Sequence, residues 1–136
     1  MLDKIEHLGI AVTNIEAANK VYTALLGVEP YKEEVVESEA VTTSFFKCGE
    51  SKIELLQAQN PDSAIAKFIE KRGEGIHHIA FAVPDILREM ERLKNEGFIL
   101  LNEEPKKGAD NKLVAFLHPK SANGVLVELC QEIENN

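Results

Sequence analysis

Two stretches of the chain, His7-Leu-Gly-Ile-Ala-Val12 and His78-Ile-Ala-Phe-Ala-Val83, carry large apolar residues at every second position with small or polar ones between them. Alternation at period two marks a strand with one covered face. Each stretch runs into a segment of helical period. Thr13, Asn14 and Glu16 give start signals in the first, ahead of Ile15, Ala18, Val21, Tyr22 and Leu25; Pro84 and Asp85 open the second, ahead of Ile86, Met90 and Leu93. Both runs stop at a glycine, Gly27 and Gly97, as a left-handed end cap requires. Two more strand-like stretches follow each helix, the last with an acid between apolar neighbours: Ile53-Glu54-Leu55 and Val127-Glu128-Leu129.

The spacing from His7 to His78 is also that from Phe45 to Phe116, whereas Glu54 and Glu128 lie three residues further apart. Those three residues belong to the turn Pro119-Lys-Ser-Ala-Asn-Gly124. The chain is therefore a duplication. It predicts an α+β fold of tandem βαβββ modules, forming a curved mixed sheet with helices on the convex face. The expected organisation is one domain, 1–136, with repeat one at about 4–58, a linker helix at about 61–73 and repeat two at about 75–131. Pro61 and Asp62 open the linker, whose helix is expected over Ser63 to Lys71 before Gly73 and Gly75; Glu132 to Asn136 read as frayed.

Strand parity turns this pattern into chemistry. Leu8, Ile10 and Val12 form the set that a helix covers, which leaves His7, Gly9 and Ala11 on the other face. Ile79, Phe81 and Val83 likewise leave His78, Ala80 and Ala82 opposite. Each imidazole is followed on its own face by small residues only, so that face has room for something besides side chains. The same parity sends Glu54 and Glu128 away from the helix layer. A buried carboxylate demands a partner, so mid-strand Glu points to a cation, to Arg or Lys, or to a wet strand edge. Recurrence of one His and one Glu in both copies favours a divalent ion held by His7, Glu54, His78 and Glu128, a mixed N/O set suited to Zn, Co, Ni, Mn or Fe(II). His77, of opposite parity, reads as structural.

Composition narrows the partners. The 136 residues are 44% hydrophobic, enough for one core of ordinary size, and the formal net charge of -8 speaks against nucleic acid or anionic lipid as a partner. The start, MLDKIEHLGIAV, fits neither a signal peptide nor a membrane span, so a cytoplasmic protein is expected. Cys48 and Cys130 lack CxxC spacing and read as reduced, small core residues.

A doubled strand-helix-three-strand module with His on the first strand and Glu on the fourth resembles the vicinal oxygen chelate superfamily. Lys52-Ile-Glu-Leu-Leu56, Asp62-Ser-Ala-Ile-Ala-Lys-Phe68, Gly75-Ile-His-His-Ile79, Glu104-Pro-Lys-Lys-Gly108 and Phe116-Leu-His-Pro-Lys120 bring it nearest to that superfamily's methylmalonyl-CoA epimerases. The resemblance implies a divalent metal (Co, Zn, Ni or Mn) on His7, Glu54, His78 and Glu128, many epimerases having Gln in place of Glu54. It also implies interconversion of (R)- and (S)-methylmalonyl-CoA, and a homodimer. Proton transfer at a carbon flanked by thioester and carboxylate needs the enolate stabilised and proton carriers on both faces. Glu128 is one candidate carrier; the second carboxylate of several bacterial members aligns with Thr43, which is no base, and Glu39 would reach only from a shifted strand.

For the acyl-CoA, whose phosphates an acidic protein must meet with local positive charge, Lys106, Lys107, Lys112 and Lys120 cluster in the second copy, and His118 either orients substrate or shapes its turn. The rival enzyme is glyoxalase I, which would want arginines for the glutathione carboxylates; here Arg72, Arg88 and Arg92 lie away from the strands. A non-catalytic binding module of the same fold is the further alternative.

Overall fold

The computed structural model describes residues 2–134. In chain order the elements are β1 (Lys4–Ala11), α1 (Ile15–Leu26), β2 (Lys32–Val36), β3 (Val41–Cys48), β4 (Ser51–Ala58), α2 (Ala64–Arg72), β5 (Gly75–Ala82), α3 (Ile86–Asn95), β6 (Lys106–Lys107), β7 (Lys112–Leu117) and β8 (Val127–Glu132). By internal contacts the chain divides into two units: His7–His77, and the residues through Glu6 together with those from His78 on. Each is a βαβββ module, and the division falls within β1 and within β5.

The first unit carries strands in the order β2-β3-β4-β1. β1 runs parallel to β4, while β3 is antiparallel to both β2 and β4. A parallel pair needs a crossover, and α1 begins it, covering one face of the sheet. Val12, Ile15, Phe46 and Leu55 form the core there, with Ala18, Tyr22 and Leu26 packed on it. The second unit repeats the plan in the order β5-β8-β7-β6, with β5 parallel to β8. Ile86, Met90 and Leu93 of α3 form its core with Val83, Ala115, Leu117 and Leu129. Burying each large side chain of this set contributes roughly 2 kcal/mol.

Both crossover helices start in the same way. Asn14 caps α1 by accepting the Ala17 N–H at 2.9 Å, and Asp85 caps α3 by accepting the Arg88 N–H at 3.2 Å. A glutamine on the closing strand adds a second cap: Gln57 Oε1 accepts from the Ile15 N–H and Gln131 Oε1 from the Ile86 N–H, each at 2.7 Å. Each helix is thus tied to the strand that carries the module's glutamate. At the far end of α1, Gly27 takes φ 74°, where its N–H bonds the Thr23 carbonyl.

Several expectations need correction. Val21 and Leu25 are 61% and 70% exposed, because the buried stripe of α1 runs through Ile15, Ala18, Tyr22 and Leu26. Cys48 ends β3 at an exposed position, and only Cys130 is a core cysteine. The linker helix is Ala64–Arg72 with Ser63 as its cap, one residue later than expected. Glu132 is the last residue of β8, whereas Asn135 and Asn136 lie outside the described residues. Among the described residues no helix is long and apolar enough to cross a membrane.

Candidate active site

The register of the first unit sets Glu54 of β4 beside Gly9 of β1, two residues beyond His7. His7 Nδ1 lies 3.0 Å from Glu54 Oε2. Across β3 the neighbour of Glu54 is Phe45, which is fully buried. His7 and Glu54 are 4% and 5% exposed, so a charge-assisted hydrogen bond offsets part of the desolvation of the acid.

The second unit reproduces this arrangement position by position. Glu128 of β8 stands beside Ala80 of β5, again two residues beyond the histidine, and Phe116 of β7 is its other neighbour. His78 Nε2 lies 3.4 Å from Glu128 Oε1, and the imidazole meets the Phe116 ring edge-on with centroids 6.2 Å apart. Both residues are 6% exposed. The two copies differ in detail: His7 turns Nδ1 to its acid at 3.0 Å and His78 turns Nε2 at 3.4 Å.

Neutral imidazole nitrogen and carboxylate oxygen are the donors a borderline divalent ion takes. His7, His78 and Glu128 are each buried donors of the kind that can hold a metal ion, as are Glu6 and Cys130. Each His/Glu pair, nearly closed to water, suits such an ion by donor chemistry. Cys130 shares the helix-free face with Glu128, and its thiol donates to the Phe81 carbonyl at 3.5 Å.

The remaining candidates are distributed unevenly. Lys106 stands over the Phe116 ring, Nζ 5.8 Å from the centroid, on the same face as Glu128. Lys107 pairs with Leu113, which packs on the α3 core, so its register position is on the opposite face. Lys112 is buried and paired with Glu132 at 3.4 Å, and does not join a basic cluster. His118 Nδ1 accepts the Lys120 N–H at 3.0 Å, which holds the turn Pro119–Ala122 and leaves Nε2 as the donor nitrogen. Lys120 itself is exposed.

Thr43 lies on the helix-free face of β3, paired with Leu56 and with Glu34 of β2. It is 1% exposed, and its hydroxyl oxygen has no hydrogen-bond partner among the described residues. Glu39 is not on β3; it belongs to the turn Glu37–Glu39 and acts electrostatically on His77. Burial holds the pKa of His77 below the usual 6.5, with Glu39 opposing the shift. His77 also meets the Phe68 ring edge-on at 5.0 Å.

Sequence reasoning missed the aromatic floor of each pair, Phe45 and Phe116, although their spacing matched that of the histidines. It also missed Lys32, whose Nζ stands 5.4 Å above Phe45 as that of Lys106 stands above Phe116. No sequence signal marks Lys32, because cross-strand register alone brings it there.

Comparison with known proteins agrees with this geometry. The model of the Glyoxalase/Bleomycin resistance protein/Dioxygenase superfamily matches residues 6–116. The ethylmalonyl-CoA/methylmalonyl-CoA epimerase of Cereibacter sphaeroides is 44% identical over 133 residues, covering 96% of this chain and 99% of that protein. Methylmalonyl-CoA epimerase from Mycobacterium tuberculosis superposes with a TM-score of 0.94 at 32% identity, covering 98% of this chain and 90% of that one. A substituted form of the Streptomyces coelicolor methylmalonyl-CoA epimerase, in complex with 2-nitronate-propionyl-CoA, does so with a TM-score of 0.94 at 35% identity over 100% of both chains. A repeated module with matched His/Glu pairs, a family model spanning most of the chain and near full-length relatives place this chain in the Glyoxalase/Bleomycin resistance protein/Dioxygenase superfamily.

Proposed function

We propose that this chain is a metal-dependent epimerase that interconverts (R)- and (S)-methylmalonyl-CoA. The observation that carries the reading is the duplicated pair: His7 with Glu54 and His78 with Glu128, buried and at equivalent register in both modules. The relatives from C. sphaeroides and S. coelicolor, named for this activity, support the choice of substrate. His7, Glu54, His78 and Glu128 are the proposed ligands of one divalent ion, Co, Zn, Ni or Mn. Such an ion, when bound, supplies a Lewis acid for the negative charge that develops on the thioester oxygen.

The chain's own residues do the rest. Glu128, at the longer distance from its histidine, is the proposed proton carrier. It removes the proton at the carbon between thioester and carboxylate; the C–H electron pair passes into the enolate, and a proton returned to the opposite face completes inversion. Thr43 cannot carry the second proton, since a threonine hydroxyl is far too weak a base at neutral pH. Its buried oxygen is suited instead to a hydrogen bond with a substrate oxygen. On the second module, Lys106, His118 and Lys120 are the proposed contacts to the acyl-CoA, with Lys106 placed beside the Glu128 pair by Phe116, whereas the register that turns Lys107 to the helix face speaks against it as a contact.

The glyoxalase reading is weaker here, because Arg72, Arg88 and Arg92 all lie on α2 and α3. The deciding experiment incubates metal-loaded protein with (R)-methylmalonyl-CoA in deuterated water. Solvent deuterium at C2, lost in His78→Ala and on chelation, is the expected outcome; turnover of the methylglyoxal–glutathione hemithioacetal without exchange would replace this reading with the glyoxalase one.

A further inference from the structure

The outer edge of the second module departs from that of the first. In the first, β2 pairs with β3 without interruption, from Lys32 opposite Phe45 to Val36 opposite Val41. In the second, the Leu101 N–H donates to the Phe116 carbonyl at 2.8 Å, and the edge segment then leaves the ladder. It advances six residues, from Leu100 to Lys106, while β7 advances three, from Leu117 to Val114. Glu103 and Glu104 are exposed in this bulge, and Pro105, lacking an N–H, cannot carry the ladder through it. A regular ladder would return the Leu101 carbonyl to the Phe116 N–H. Instead the side chain of Asn102 supplies the acceptor, its Oδ1 receiving that N–H at 2.9 Å. Both backbone groups of Phe116 thus turn outward, which makes Phe116 and Glu128 a non-hydrogen-bonded pair, the kind that brings side chains closest. The Phe116 ring packs on Ala80, Val114 and Cys130 and meets the His78 imidazole edge-on, with centroids 6.2 Å apart. One side-chain oxygen therefore fixes the strand position from which this ring meets both members of the pair.

We propose that Asn102 is a positioning residue for the His78/Glu128 pair, acting through the backbone and ring of Phe116. The inference rests on the epimerase reading only for the chemistry that the pair performs; the placement of His78 is open to test without it. Asn102 acts solely as an acceptor here, so Asp, which keeps an oxygen at the same reach, can replace it, and Ala cannot.

The test compares Asn102→Ala, Asn102→Ser and Asn102→Asp with the parent full chain. In metal-free protein, NMR follows exchange of the Phe116 amide and the imidazole carbon-bound proton resonances of His78, which the ring current of Phe116 displaces. Asn102→Ala should speed exchange of the Phe116 amide by about tenfold or more and shift the His78 resonances. Asn102→Asp should restore both, and Asn102→Ser, whose oxygen reaches less far, should fall between and serves in place of Ala if that variant does not fold. Faster exchange at Phe116 with unmoved His78 resonances would reduce Asn102 to a plain strand cap and overturn the proposal, as would equal effects of Ala and Asp. In the metal-loaded protein, Asn102→Ala should lower kcat for deuterium uptake at C2 by about tenfold at unchanged KM, since small misplacement of reacting groups is costly. Against a Phe116→Leu background the same change should lower kcat no further; a fully additive loss would show that Asn102 does not act through Phe116. If the parent takes up no deuterium, yet His78 shifts in Asn102→Ala and returns in Asn102→Asp, the epimerase reading fails and the positioning role stands.

Discussion

Single side chains carry the sharpest expectations. The Thr43 hydroxyl is buried without a partner, so Thr43→Val keeps the shape and removes a desolvated polar atom. Stability should rise by about 1 kcal/mol in chemical denaturation. If the oxygen serves the substrate, the same variant should lose turnover while gaining stability, an opposition that a merely structural threonine would not show. His77 gives a pH signature. Its folded pKa lies below 6.5 because burial disfavours the imidazolium, so at acid pH the unfolded chain binds more protons than the folded one. This part of the stability is complete above pH 6.5 and is lost as the pH falls below it. Denaturation midpoints of His77→Phe should therefore fall less steeply on acidification than those of the parent. That His77 and His78 face opposite ways was legible from strand parity. The state of Thr43 was not, because an unpaired hydroxyl depends on what surrounds it in three dimensions.

At the scale of elements, the second cap on each crossover helix ties helix to strand. Gln57→Ala should cost about 1 kcal/mol by leaving the Ile15 N–H without its acceptor, and Gln131→Ala should cost the same at Ile86. Since the two glutamines sit three residues beyond Glu54 and Glu128, exchange of the helix amides should also speed up, measurable by hydrogen exchange. The strands, the helix starts at Asn14 and Asp85 and the stop at Gly27 were readable because alternation, capping chemistry and glycine act locally. The buried stripe of α1 was not. Ile15, Ala18, Tyr22 and Leu26 share the helix with Val21 and Leu25, and a 3.6-residue period admits either set until the sheet chooses. Lys112 misled in the same way: its sequence neighbours suggested an open cluster, but the register set it against Glu132 on the adjacent strand. Pair distances of 5 to 6 Å across strands, such as Lys32 over Phe45, leave no trace in a linear pattern at all.

For the molecule as a whole, duplication raises the question of how many ions it takes. Each module supplies a complete His/Glu pair, so two independent weak sites and one shared strong site are both chemically conceivable, and they differ in what a single substitution does. A ligand that binds only the folded state stabilises it by RT ln(1 + [L]/Kd), about 2.7 kcal/mol at a hundredfold excess over Kd. If all four donors hold one ion, metal analysis should find one equivalent per chain. In that case His7→Ala and His78→Ala should each abolish nearly the whole metal-induced rise in Tm, even though they lie in different modules, because two remaining oxygen donors and one nitrogen bind a borderline ion weakly. If each module held its own ion, either variant would lose half of the bound metal and keep the other module's share of the rise. Glu54→Gln separates the roles further. It retains an oxygen donor and one module's contact to His7, so it should weaken metal binding modestly and preserve exchange at C2, whereas Glu128→Gln should bind metal yet lose exchange by a hundredfold or more. Similar losses of exchange in both variants would assign the proton transfer to neither glutamate in particular, and the asymmetry between the 3.0 Å and 3.4 Å pairs would then have no catalytic meaning.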